Sequence, residues 1–126
     1  MVTEQPGTGL TFEQFWRWVK RHPNCILRAG TPDSFLYDNE DLHWHLEQDQ
    51  DGSPLVQLVD GKVLIAELLL DVRDVLFVQT SQQGEGEAQQ HLFEIIGGPR
   101  EEPYPVYHFV LSHGWDEEKP HPTLKH

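Results

Sequence analysis

The chain has 126 residues, of which 37% are hydrophobic and 24% charged, enough for one domain that buries roughly two thirds of the surface its unfolded form exposes. This balance excludes wholesale disorder. Nine Lys and Arg against 21 Asp and Glu give a formal charge of −12, which repels polyanions, so nucleic acid is excluded as a partner and a basic protein is favoured.

Residues 1–10 carry Pro6, Gly7 and Gly9 without apolar periodicity and are expected to be a flexible lead-in. A helix follows in TFEQFWRWVKRHP. Thr11 and Gln14 have the spacing of a capping box. Phe12, Phe15, Trp16 and Val19 form one apolar stripe, Arg17, Lys20 and Arg21 face the other way, and Trp18 falls at the margin. Pro23 ends the helix.

Beyond Asn24 the apolar period shifts toward 2. CILRA and SFLYD are predicted strands around a TPD turn, and LHWHLEQ alternates strictly, with Leu42, Trp44 and Leu46 on one face and His43, His45 and Glu47 on the other. DQDGS turns the chain into PLVQLV. Asp60 and Gly61 then predict a tight hairpin, since both tolerate positive φ. Residues 62–74 carry two patterns, because Glu67, Asp71 and Asp74 would also line one side of a helix; the tight turn before them favours strand. VLFVQT, HLFEIIG and PVYHFVLS complete the strands, SQQGEGEAQQ is expected to be a flexible loop, and the last dozen residues a solvated tail.

This order predicts an α+β, mainly β fold: an antiparallel meander of about seven strands curled into a barrel or roll, with one N-terminal amphipathic helix closing a side. The expected organisation is a lead-in over residues 1–10, one globular domain over 11–114 and a tail over 115–126.

The first candidate site is His43 and His45. On one strand face they stand about 6.6 Å apart, within reach of a shared divalent metal at Zn–N distances of about 2.1 Å. A cupin-type site resembles this stretch only in its His-x-His; there the acid follows after three or four residues, whereas Glu47 follows after one. If Trp44 packs inward, as burial of an indole favours, both imidazoles face outward. A third ligand would then come from His91, His108, His113 or Glu94 on the last strands.

Other constellations are weaker. Residues 47–52, EQDQDG, imitate the start of a calcium loop, but Leu58 stands where a bidentate Glu is needed. Cys25 beside Ile26 and Leu27 is expected to be a small buried hydrophobe, acting as a nucleophile only if a base and an orienting group meet it in space. Glu101, Glu102, Asp38, Glu40 and Asp41 fit solvated turns.

As the chain's single cysteine, Cys25 leaves no intrachain disulfide, which suits a reducing cytoplasm. MVTEQPGTGL has no signal-peptide pattern, and no run approaches the roughly 20 apolar residues that span a bilayer, so no membrane association is expected. The expectation is a non-enzymatic binding or scaffolding module without a cofactor. It would meet a protein partner, in particular a basic one, through an acidic surface, with His43, His45, Trp18, Tyr107 and Trp115 as interaction residues and edge-strand pairing as a route to a homodimer. The alternative is a metal-dependent, cupin-like β-barrel enzyme or sensor built on His43 and His45.

Overall fold

A computed structural model describes residues 9–84 and 90–115. In chain order the elements are β1 (Gly9–Leu10), α1 (Phe12–Val19), a 3₁₀ turn (Pro23–Cys25), β2 (Ile26–Gly30), β3 (Phe35–Tyr37), β4 (His43–Gln48), β5 (Pro54–Asp60), β6 (Val63–Leu69), β7 (Val75–Gln83), β8 (Gln90–Gly97) and β9 (Tyr104–Leu111). The mainly β character and, among the described residues, the single α-helix agree with the pattern of the sequence. The described strands form two separate antiparallel sheets and no closed barrel: a six-stranded sheet in the order β1-β7-β8-β9-β2-β3, and a three-stranded sheet β4-β5-β6.

The helix begins as its capping box predicts. Gln14 N–H donates to Thr11 Oγ1 at 3.0 Å and Thr11 N–H donates to Gln14 Oε1 at 2.9 Å, so two backbone donors that lack helical partners are satisfied at once. Phe15 is its anchor, with ring centroids 5.2 Å from both Phe93 and Phe109. These rings join a continuous core that includes Val19, Ile26, Val78, Ile95 and Leu111 and extends into the small sheet through Trp44, Val56 and Leu58. Trp18 is only 1% exposed. His22, just after the helix, and Trp115, beyond β9, close over that flank at 4.8 and 5.2 Å from its indole, so a residue at the edge of the helical stripe becomes core.

In the small sheet Trp44 is 4% exposed, and its indole N–H donates to Asp38 Oδ1 at 3.3 Å. The alternation of β4 therefore turns His43, His45 and Glu47 to the outer face. Two turns hold this sheet in register. At the first, Asp49 Oδ1 accepts from Asp51 N–H and Ser53 N–H, both at 2.9 Å, and Gly52 takes φ 85°; the calcium-like stretch is a side-chain-capped hairpin turn. At the second, Asp60 pairs with Val63, so the central residues are Gly61 and Lys62, and Gly61 alone takes a positive φ, 62°. The turn thus lies one residue later than the Asp60-Gly61 pair suggested, with glycine at its first central position.

Residues 63–69 are strand. The chain then crosses to the large sheet at Leu70–Asp74, where Arg73 grips Asp71 through two side-chain hydrogen bonds at 2.9 and 2.7 Å and lowers the Asp71 carboxyl to about 2. Tyr107 Oη accepts from Asp71 N–H at 2.8 Å and ties the crossing to β9.

Three boundaries differ from expectation. The end of the lead-in is strand, because Gly9 and Leu10 pair with Gln79 and Val78 and Leu10 is buried. Ser81 to Gln83 and Gln90, assigned to a loop, continue the β7–β8 hairpin, where Ser81 pairs with Leu92. The remainder of the lead-in, the middle of that loop and the tail beyond Trp115 lie outside the described residues.

Replacing Phe15 by Ala removes the ring that joins α1 to β8 and β9; the expected loss is about 3–5 kcal/mol of unfolding free energy, to be read from urea denaturation. Thr11→Ala, which loses only the cap, is expected to cost about 1 kcal/mol in the same assay.

Candidate functional site

One turn of 3₁₀ helix starts the site. Pro23 suits its first position, and Cys25 N–H donates to His22 C=O at 3.0 Å. In a 3₁₀ turn residues i and i+3 eclipse, so His22 and Cys25 project from the same side. The third residue arrives from the far end of the chain. β2 and β9 pair antiparallel with Ile26 opposite Leu111, and Ser112 N–H extends the ladder by donating to Cys25 C=O at 2.9 Å. This register places His113 against the 3₁₀ turn.

The resulting group holds one donor atom each from His22, Cys25 and His113, all within 4.8 Å of one another and all half-buried. His113 Nε2 lies 3.1 Å from Cys25 Sγ, and its Nδ1 lies 3.1 Å from the Gly114 carbonyl oxygen. A carbonyl only accepts, so Nδ1 carries the hydrogen, and in the neutral ring Nε2 offers its lone pair to the thiol. The His22 and His113 rings meet edge to face at 4.9 Å, and the Trp18 indole lies 5.5 Å from His113. A base beside the thiol and a carbonyl that orients the base are the two parts that activate a cysteine; with the second imidazole they also make a nitrogen and sulfur donor set for a metal.

Cys25 is half-buried and packs against the apolar core, as its neighbours suggest, but polar groups also reach it. It ends the 3₁₀ turn rather than entering β2, and its thiol faces an imidazole. The trace of this in the sequence is the His22-x-x-Cys25 spacing directly after the helix; the partner 88 residues further on carries no local signal.

The other candidates are dispersed. His43 and His45 are exposed on the outer face of the small sheet, opposite Val59 and Gln57. Among the described residues the group of three close donors is the one at Cys25, and His113, considered as a ligand for His43 and His45, belongs to it. Trp18 is core and leaves no indole for a partner. Trp115 is half-buried against it, and Tyr107 is half-buried and engaged at the sheet crossing.

His108 belongs to a different place, a cleft of about 490 Å³ on the outer face of the large sheet that Arg28, Phe35, Glu94 and Tyr104 also line. It sits opposite Glu94 in the β8–β9 ladder, and the Arg28 guanidinium lies 4.9 Å from the Phe35 ring centroid. Arg28 Nε and His108 Nε2 are buried and meet no hydrogen-bond acceptor among the described residues. Burial, and next the Arg28 charge, hold the His108 imidazole below its ordinary 6.5, with Glu94 opposing.

No family model, curated protein or solved structure matches this chain.

The His108 shift has a definite sign. Its folded-state value is depressed, so the unfolded chain takes up the proton first; the neutral ring's contribution is fully present above pH 6.5 and is lost as pH falls below it toward the folded value. Urea denaturation over a pH series is expected to show a shallower loss of stability on acidification in His108→Gln than in the wild-type chain.

Proposed function

We propose that this protein is a binding module of a reducing compartment such as the cytoplasm, and that its partner is an extended basic and apolar segment of another protein laid along β6. The observation that carries this is the uncovered end of the small sheet. β6 is one of its two edge strands, and Val63, Leu64, Ile65 and Leu69 on it are 62%, 48%, 51% and 52% exposed. A bulge accounts for the run of three. Leu58 pairs with Ala66 but Val59 with Leu64, so Ile65 is the extra residue and strict alternation fails there.

The cross-strand rows of the outer face read His43, Val59, Leu64; then His45, Gln57, Glu67; then Glu47, Leu55, Leu69. Two rows with apolar members flank a polar row in which Gln57 Nε2 donates to Glu67 Oε1 at 3.1 Å. An unpaired strand edge supplies backbone donors and acceptors for strand addition, and adjoining apolar side chains supply affinity. Charge selects the occupant. A second copy would bring two bodies of −12 together, whereas a basic segment is attracted to Asp60, Glu67 and Glu47 around the patch.

The test is titration of extended peptides alternating Val or Ile with Lys or Arg, followed by fluorescence anisotropy and amide hydrogen exchange. Binding is expected to weaken with salt, to slow exchange at the β6 amides, and to drop about tenfold or more in Leu64→Lys and Leu69→Lys. Sedimentation showing a homodimer that these substitutions dissociate, without peptide binding, would replace the basic partner by a second copy.

A further inference from the structure

We infer that His22, Cys25 and His113 form a zinc site with three protein ligands and a fourth position for water or an incoming group. Tetrahedral zinc, with Zn–S of about 2.3 Å and Zn–N of about 2.0–2.1 Å, sets donor atoms about 3.4–3.6 Å apart. The 3.1 Å contact between Cys25 Sγ and His113 Nε2 opens by about half an ångström to meet this. None of the remaining separations exceeds 4.8 Å, so each has to shorten by at most about 1.4 Å to reach that geometry.

Three features separate the cluster from a chance gathering of polar groups. His113 has the outer partner that metal-bound histidines use: the Gly114 carbonyl takes the Nδ1 hydrogen, fixing the ring and aiming the Nε2 lone pair into the cluster. The donors are one sulfur and two imidazole nitrogens, with no carboxylate, a set that suits zinc and disfavours magnesium and calcium. The surroundings are partly apolar, since the Trp18 ring adjoins both imidazoles and Trp115 packs on Trp18, which limits water around the donors.

Binding requires the thiol to lose its proton, which leaves to solvent as the Zn–S bond forms. The ion joins the end of α1, the start of β2 and the end of β9, so it links segments 88 residues apart and stabilises the folded chain by binding it in preference to the unfolded one. The site lies at the junction of α1 and the large sheet, is assembled independently of the β6 edge, and stands or falls apart from the docking proposal.

The experiment uses the full chain, expressed without a histidine tag and freed of metal by chelation. Cobalt(II) titration is expected to saturate at one equivalent, with the intense visible bands of a tetrahedral ion and a near-ultraviolet sulfur-to-cobalt charge-transfer band, and zinc is expected to displace it. Because Cys25 is the chain's only cysteine, alkylation by iodoacetamide reads this site alone and is expected to slow at least about tenfold with zinc bound.

Cys25→Ser, His113→Gln and His22→Gln are each expected to weaken zinc binding by more than about tenfold and to lose the zinc-dependent rise in Tm, while His43→Ala and His45→Ala retain both. The Tm of each metal-free variant shows whether it is folded, so loss of zinc response in a folded chain supports the site. Absence of the charge-transfer band, alkylation at the same rate with and without zinc, or binding that survives Cys25→Ser but not His43→Ala overturns it.

Discussion

Phe15 against Phe93 and Phe109 is the contact on which the rest of the molecule depends. It places the helix on the inner face of the six-stranded sheet, across β8 and β9. Because α1 is short and ends at Val19, its position dictates where the next few residues go. They run back along the Trp18 flank into the 3₁₀ turn, and the β2–β9 register brings the C-terminal end of β9 to the same spot. A packing contact between phenylalanines thereby determines that a thiol and two imidazoles share a half-buried corner. The gathering of these three polar groups thus follows from apolar packing; all three are half-buried at the edge of the core.

The small sheet shows how two faces of one element divide the work. Trp44, Val56 and Leu58 close the core from below, and the same alternation obliges β4 to present His43, His45 and Glu47 outward. On β6 the bulge at Ile65 breaks the alternation, so apolar side chains reach solvent where a regular edge strand would show polar ones. At the β4–β5 connection, Asp49 caps the turn with its own side chain. The apolar stretch of β6 stays exposed, which is the feature the proposed strand docking rests on.

The chemistry divides by location. In the cleft around His108, burial and the Arg28 charge hold the imidazole below its ordinary value, whereas the corner around His113 joins an imidazole to a thiol. Both histidines lie near the end of one chain segment, five residues apart. His108 lies within β9 and faces the outer side of the large sheet; His113 follows the strand and lies under the flank of the helix. Position relative to the sheet decides their different surroundings.

Much of the fold was legible along the chain because its causes are local. The Thr11–Gln14 cap, the apolar stripe of α1, the strict alternation of LHWHLEQ and the glycine of the β5–β6 turn each act within a few residues, so their residue types and spacing specify the backbone that forms. The inward Trp44 follows from the same reasoning, since one indole and two leucines outweigh two imidazoles for burial. What the local pattern could not carry was the partition of strands into two sheets rather than one curled meander, the burial of Trp18 beneath a returning chain, and the meeting of Cys25 with His113. These depend on which distant strands share a ladder, a choice made by the summed burial of residues such as Phe15, Ile26, Phe93 and Leu111 after the chain has collapsed. No window of sequence contains that sum, and the group of donors most capable of chemistry came into being only with the tertiary fold.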